Sequence, residues 1–219
     1  MEWDYKNYVP KGRSATACES AMVFAYNGAK TIFLRDLNIE LNAVAFIVNT
    51  NSDDGYTGTA EDSFGQIRNK GISNGWQAIY EPHAIQLFTG RAISSRGSFA
   101  GISDIRAICR PAISAVVKTS LGNSTIGLTT HELGHSFGAI HDQDCVPAQN
   151  GVMRSGNGIG GVLFFSSCSI ATINGSLPLF QCINNYSCCV DINNDGIKSV
   201  QDLFDFLALY FARDPRSDF

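Results

Sequence analysis

HELGHSFGAIHD, residues 131–142, holds three of the four histidines in the chain. On an α-helix each residue turns by about 100°, so His131 and His135, four apart, stand on one face a turn from each other. Glu132 follows the first of them but is rotated off that row, which points its carboxylate at a water on the ion rather than at the ion itself. His141 cannot join the pair on a continuous helix, because six more residues carry it about 9 Å along the axis and about 240° around. The helix must break, and Gly138 stands where the break is needed: a residue without Cβ takes the left-handed conformation that ends a helix and turns the chain back. Three neutral imidazoles and one exchangeable solvent position are the donor set of a catalytic zinc. With Glu132 as general base toward that water, the predicted reaction is hydrolysis of peptide bonds.

Around this stretch the chain reads as one main domain with a small appendage. Its 219 residues are 44% hydrophobic, enough to bury a sizeable core. A formal charge of -4 and the lack of any basic cluster exclude nucleic acid as an expected partner. The longest apolar run, residues 203–211, is interrupted by Asp205, so no membrane span is expected. Seven cysteines, five of them between Cys145 and Cys189, predict a disulfide framework and hence an oxidising, extracellular setting. Residues 1–10 have neither a basic start nor an apolar core of a secretory signal, so the expectation is a mature or trimmed piece of a secreted precursor.

The order of elements predicts an α+β fold. Strands are expected at residues 2–8, 41–49, 83–90 and 97–102, and helices at 15–34, 61–70 and 126–137, the last entered from Ser124 or Thr125 as N-cap. Residues 49–59, NTNSDDGYTGT, read as a surface loop. Helices and strands alternate as in a three-layer α/β/α arrangement on a mixed sheet.

HELGHSFGAIH resembles the zinc signature of the metzincin metallopeptidases, and Asp142 after it is typical of their adamalysin (reprolysin) branch, as is FFSSCS at 164–169. The resemblance covers about residues 1–187 and implies a secreted zinc endopeptidase acting on proteins or peptides. It makes Met153 the methionine of the turn that floors the zinc site. It makes residues 97–102 the edge strand on which an extended substrate pairs, through Ser98, Phe99, Ala100 and Gly101. Other branches place a tyrosine ligand two residues past this methionine; Ser155 stands there instead. The same likeness implies disulfides Cys145–Cys168 and Cys109–Cys182, with Cys18, Cys188 and Cys189 unassigned. Some adamalysin relatives hold calcium through an early glutamate; Glu2, Cys182 and Asn185 would be its counterparts, with His83 where an aspartate would fall. A structural role is expected for His83.

Residues 188–219 carry a second constellation. In DINNDGIKSVQD, oxygens of Asp191, Asn193, Asp195, Ser199 and Asp202, with the Ile197 carbonyl and Gly196 at the sharp turn, match a calcium loop. An apolar helix follows it and none precedes it, a form that resembles one dockerin type I repeat, the module that binds a cohesin partner. The cofactors expected are therefore zinc and, in the tail, calcium. A second reading, a non-catalytic binding or anchoring module on a metzincin scaffold, keeps the ligands but has no use for Glu132.

Overall fold

The computed structural model describes residues 1–92, 100–109, 114–118, 123–155 and 162–184. Met1–Leu179 forms one compact unit. The candidate calcium-loop residues Asp191, Asn193, Asp195, Ile197, Ser199 and Asp202 lie outside the described residues, as do Ser98, Phe99, Cys188 and Cys189.

In chain order the elements are β1 (Glu2–Trp3), α1 (Tyr5–Tyr8), α2 (Ala15–Leu37), β2 (Ile47–Val48), α3 (Ala60–Ser73), α4 (Trp76–Tyr80), β3 (Ile85–Thr89), β4 (Gly101–Ser103), β5 (Ser114–Lys118), α5 (Asn123–Ser136), α6 (Ser167–Ser176) and α7 (Gln181–Asn184). The sheet order is β2-β1-β3-β5-β4, parallel throughout except β4, which runs antiparallel to β5 at one edge. Neighbouring residues of β3 face opposite ways. Phe88 packs with Trp3 and with Cys18, Met22 and Ala25 of α2 and Leu128 of α5. Leu87 packs with Tyr56, Ala60 and Ile67 of α3, and Trp76 of α4. Helices thus cover both faces, the expected three-layer α+β architecture on a mixed sheet.

α2 and α5 approach closely because Gly28 leaves room: a Cβ there would lie 2.6 Å from Ile126 Cγ2. Phe33 of α2 then reaches Phe137 and Phe165, with ring centroids 5.2 and 5.1 Å apart. These contacts set the zinc-signature helix against α2.

Several boundaries differ from expectation, each for a local reason. The strand expected at 2–8 stops at Trp3, because the Asp4 carboxylate accepts from Asn7 N–H and caps α1; a side-chain oxygen at an N-cap satisfies a donor that the strand pattern would leave to the sheet. The strand expected at 41–49 shrinks to Ile47–Val48: Tyr26 Oη donates to the Leu41 carbonyl and accepts from Ala43 N–H, which takes that stretch out of the ladder. α2 continues past residue 34 to Leu37 and ends on Asn38 in the left-handed region at φ 54°. α3 starts at Ala60 on a capping box between Thr59 and Asp62. α5 begins at Asn123, so Ser124 and Thr125 lie inside the helix rather than before it.

A buried charge network closes the side of the sheet near β1. Glu2 accepts from Lys70 Nζ at 2.5 Å, Tyr56 Oη at 2.5 Å and Asn49 Nδ2 at 2.6 Å. The cation beside Glu2 is thus the Lys70 ammonium. Burial and the Glu2 carboxylate push the Tyr56 phenol up, holding it protonated as a donor. Arg91 bonds Asp54 at 3.1 Å and lies 3.5 Å from Asp4, both carboxylates being buried.

Cys145 and Cys168 are bridged as expected. Cys109 and Cys182 are each disulfide-bonded, and Cys18 is free and buried.

Candidate metal centre

α5 carries His131, Glu132 and His135, all buried. Its end is built by Gly138 at φ 104°, whose N–H donates to His135 O at 2.8 Å, while Ala139 N–H donates to Gly134 O at 2.9 Å. This pair of bonds is the Schellman arrangement, which closes a helix through a left-handed residue. A Cβ on Gly138 would lie 2.8 Å from Ser176 Cβ and 3.1 Å from Arg106 Cγ. The reversal brings His141 back beside the helix. Gly138→Ala should therefore lower stability by about 2 kcal/mol, the cost of a Cβ in the left-handed region, and loosen zinc; melting and zinc titration read both, and an unchanged titration would refute the geometric role.

The three Nε2 atoms converge, at 3.1 Å between His131 and His135 and 3.2 Å between His135 and His141. Among the described residues this is the one group of three such side chains able to hold a metal. His131 Nδ1 donates to Val152 O and His135 Nδ1 to Ala139 O, each at 2.8 Å. A carbonyl only accepts, so both protons sit on Nδ1 and both Nε2 atoms present lone pairs. Lone pairs facing each other at 3.1 Å repel unless a cation lies between them, and the carbonyl partners are the usual outer support of ligating imidazoles. Burial, then the neighbouring His135, pushes His131 down to about 3, so the ring stays neutral as a ligand must be. The donors fit zinc.

Glu132 follows His131 on α5 and has its carboxylate packed on Gly101 of β4. Burial pushes this carboxyl up to about 8, which makes it a stronger base than a solvated glutamate.

Met153 is fully buried and packs on α5, where its Sδ would lie 2.5 Å from a Cβ at Gly134. Only a glycine lets the methionine meet the helix backbone there. Asp142 holds the return loop together: its buried carboxylate accepts from Gly151 N–H, Ser166 Oγ and Ser169 Oγ, and its N–H donates to Met153 O at 3.1 Å. Ser166 also caps α6. Ser155 N–H donates to Gln143 Oε1 at 3.1 Å.

Of the residues expected from the sequence, His131, Glu132, His135, Gly138, His141, Asp142 and Met153 gather in this one region. Ala100 packs partly against the core, and Gly101 begins the edge strand. His83 is outside the histidine cluster, its carbonyl accepting from Cys109 N–H at 3.4 Å. The carbonyls of Val152 and Ala139 were not foreseen, since every residue has one and only the fold selects which meets an imidazole.

A family model described as "Metallo-peptidase family M12B Reprolysin-like" matches residues 19–142. The "Disintegrin and metalloproteinase domain-containing protein 33" of Homo sapiens is 38% identical over 98 residues, 40% of this chain and 12% of that protein. A solved chain described under "Structure of a chaperone-substrate complex" superposes with a TM-score of 0.62 at 13% identity, covering 84% of this chain and 34% of its own; that likeness is one of fold. The chain thus spans a small part of the curated relative's length.

Proposed function

Because the chain belongs to the reprolysin-like M12B metallopeptidases, we propose that it is a secreted zinc endopeptidase whose base is Glu132. The observation that carries this reading is the convergence of three imidazole Nε2 atoms, two of them on a helix that also carries the buried Glu132 carboxyl. His131, His135 and His141 would hold the ion. When bound, zinc supplies Lewis acidity, which acidifies water and polarises a carbonyl. Glu132, ionised beside the cation, would take the proton from the attacking water and deliver it to the leaving amine. An extended peptide would pair with the exposed edge of β4, so the site would read backbone conformation before side chains.

The retained base is why we favour an enzyme over a binding module: ligation alone requires the histidines and leaves Glu132 without use. Secretion is supported by the Cys145–Cys168 bridge. Among the described residues no helix is long and apolar enough to cross a membrane. We assign residues 1–187 to the peptidase and 188–219 to a dockerin-like tail, in which residues 191–202 would bind calcium and serve a cohesin-like partner; this rests on ligand spacing alone.

The test is cleavage of casein and of a quenched peptide by the zinc-loaded chain, with and without 1,10-phenanthroline. Chelator-sensitive cleavage at internal bonds is expected. A zinc-loaded chain that cuts neither substrate would overturn the peptidase reading.

A further inference from the structure

β4 and α5 run side by side in matched steps. Two residues of strand advance about 6.6 Å and four residues of helix about 6.0 Å, so a contact made at one pair recurs at the next. Gly101 lies against Glu132, and Ser103 Oγ is 2.8 Å from Ser136 Oγ. Beyond β4, Arg106 N–H donates to His135 O at 3.0 Å and Ala107 N–H to Ser136 O at 2.9 Å. Both carbonyls belong to the last turn of the helix, where i+4 donors run out, and that of His135 also accepts from Gly138 N–H. The strand is therefore held to the histidine-bearing helix at Glu132 and Ser136, and the segment after it at His135 and Ser136.

At the first level the contact is with the candidate base itself. A Cβ on Gly101 would stand 2.7 Å from both Cγ and Cδ of Glu132, well inside van der Waals separation. Gly101 is not among the positive-φ glycines, so its extended backbone accepts an L side chain. What would yield to an added methyl is the glutamate arm, which has rotatable bonds, rather than the hydrogen-bonded strand or helix.

Resting on the peptidase reading, we propose that Gly101 is a positioning residue: its bare Cα is the surface on which the Glu132 carboxylate is laid, so the substrate strand also sets where the base stands. The glycine serves Glu132 rather than the backbone of β4, and its effect is on the orientation of the base rather than on holding the ion.

Gly101→Ala tests this. In a crystal structure of the zinc-loaded variant, the Glu132 carboxylate should be displaced by about 1 Å with the three imidazoles in place, and kcat should fall roughly 100-fold, the penalty typical of such a misplacement. KM, zinc content and melting temperature should stay near those of the unsubstituted chain. A risen KM with kcat intact would assign Gly101 to substrate pairing instead and overturn the proposal, as would an unmoved carboxylate. Glu132→Asp withdraws the carboxylate by one methylene and removes the clash, so Gly101→Ala should cost little further activity in that background; additive losses would count against the contact. Should Gly101→Ala not fold, recovery of folding in the double variant supports the contact and failure of both overturns it. If the unsubstituted chain cleaves nothing, the peptidase reading fails, while the position of the carboxylate in the two structures still decides the role of Gly101.

Discussion

Glu132→Ala leaves the chain folded and zinc-loaded and lowers kcat by about 10³-fold, within the range that positioned general bases contribute. Alanine lacks the proton acceptor, while the rings of His131 and His135 remain aimed by the Val152 and Ala139 carbonyls. The variant should also melt no lower than the parent. A carboxyl that burial pushes up to about 8 is one whose charged form the fold disfavours, and removing such a group commonly exchanges activity for stability. Steady-state kinetics on a quenched peptide, elemental analysis and melting together decide the matter. Retained turnover would remove Glu132 from the role of base, and lost zinc would make it a ligand or a support of the ligands.

Withdrawing zinc has the other large effect. All cleavage should cease, and stability should fall by about 4 kcal/mol relative to zinc held at a thousand times its dissociation constant. For a unit of this size that corresponds to a melting temperature lower by about 8–16 °C. Part of the loss is the mutual repulsion of the His131 and His135 Nε2 lone pairs 3.1 Å apart. The pH dependence should change as well. In the metal-free chain Glu132 rises from an ordinary 4.5 to about 8, so its contribution is full below 4.5 and is lost as pH rises through about 8. His131 falls from 6.5 to about 3, so its contribution is full above 6.5 and is lost as pH falls toward about 3. Between pH 6.5 and 8 the Glu132 contribution falls as pH rises, while the Met1 ammonium, lowered by burial from 8.0 to about 6, adds one that rises, so the metal-free parent should decline relative to Glu132→Gln across that window. A nearby cation favours the ionised carboxylate, so the zinc-loaded chain should decline less. Parallel melting curves with and without metal across that window would refute the placement of Glu132 beside the ion.

Local rules carried well wherever one residue had one strong preference. Gly138 was legible as a helix stop because a left-handed residue is what His141 requires in order to return, whereas Met153 was singled out only through the resemblance to the metzincins. The same rules failed at β1 and β2. Asp4 and Tyr26 each make hydrogen bonds that withdraw backbone from the sheet, and the partner of Tyr26 lies fifteen residues away. Alternating apolar residues could not reveal either competition.

By itself the sequence determined the grouping of the three histidines, the break between them and the three-layer class, and pointed to Glu132 as the proposed base, because each depends on helical period, on the chemistry of His and Glu, or on short-range patterning. Only the tertiary structure decided which carbonyls hold the imidazole tautomers, that Lys70 is the cation on Glu2, and that Gly101 underlies the carboxylate of Glu132. Those pairings join residues 21, 68 and 31 positions apart in the cases of His131 with Val152, Glu2 with Lys70 and Gly101 with Glu132. Period and composition describe neighbours along the chain, whereas such contacts exist only once the layers have packed.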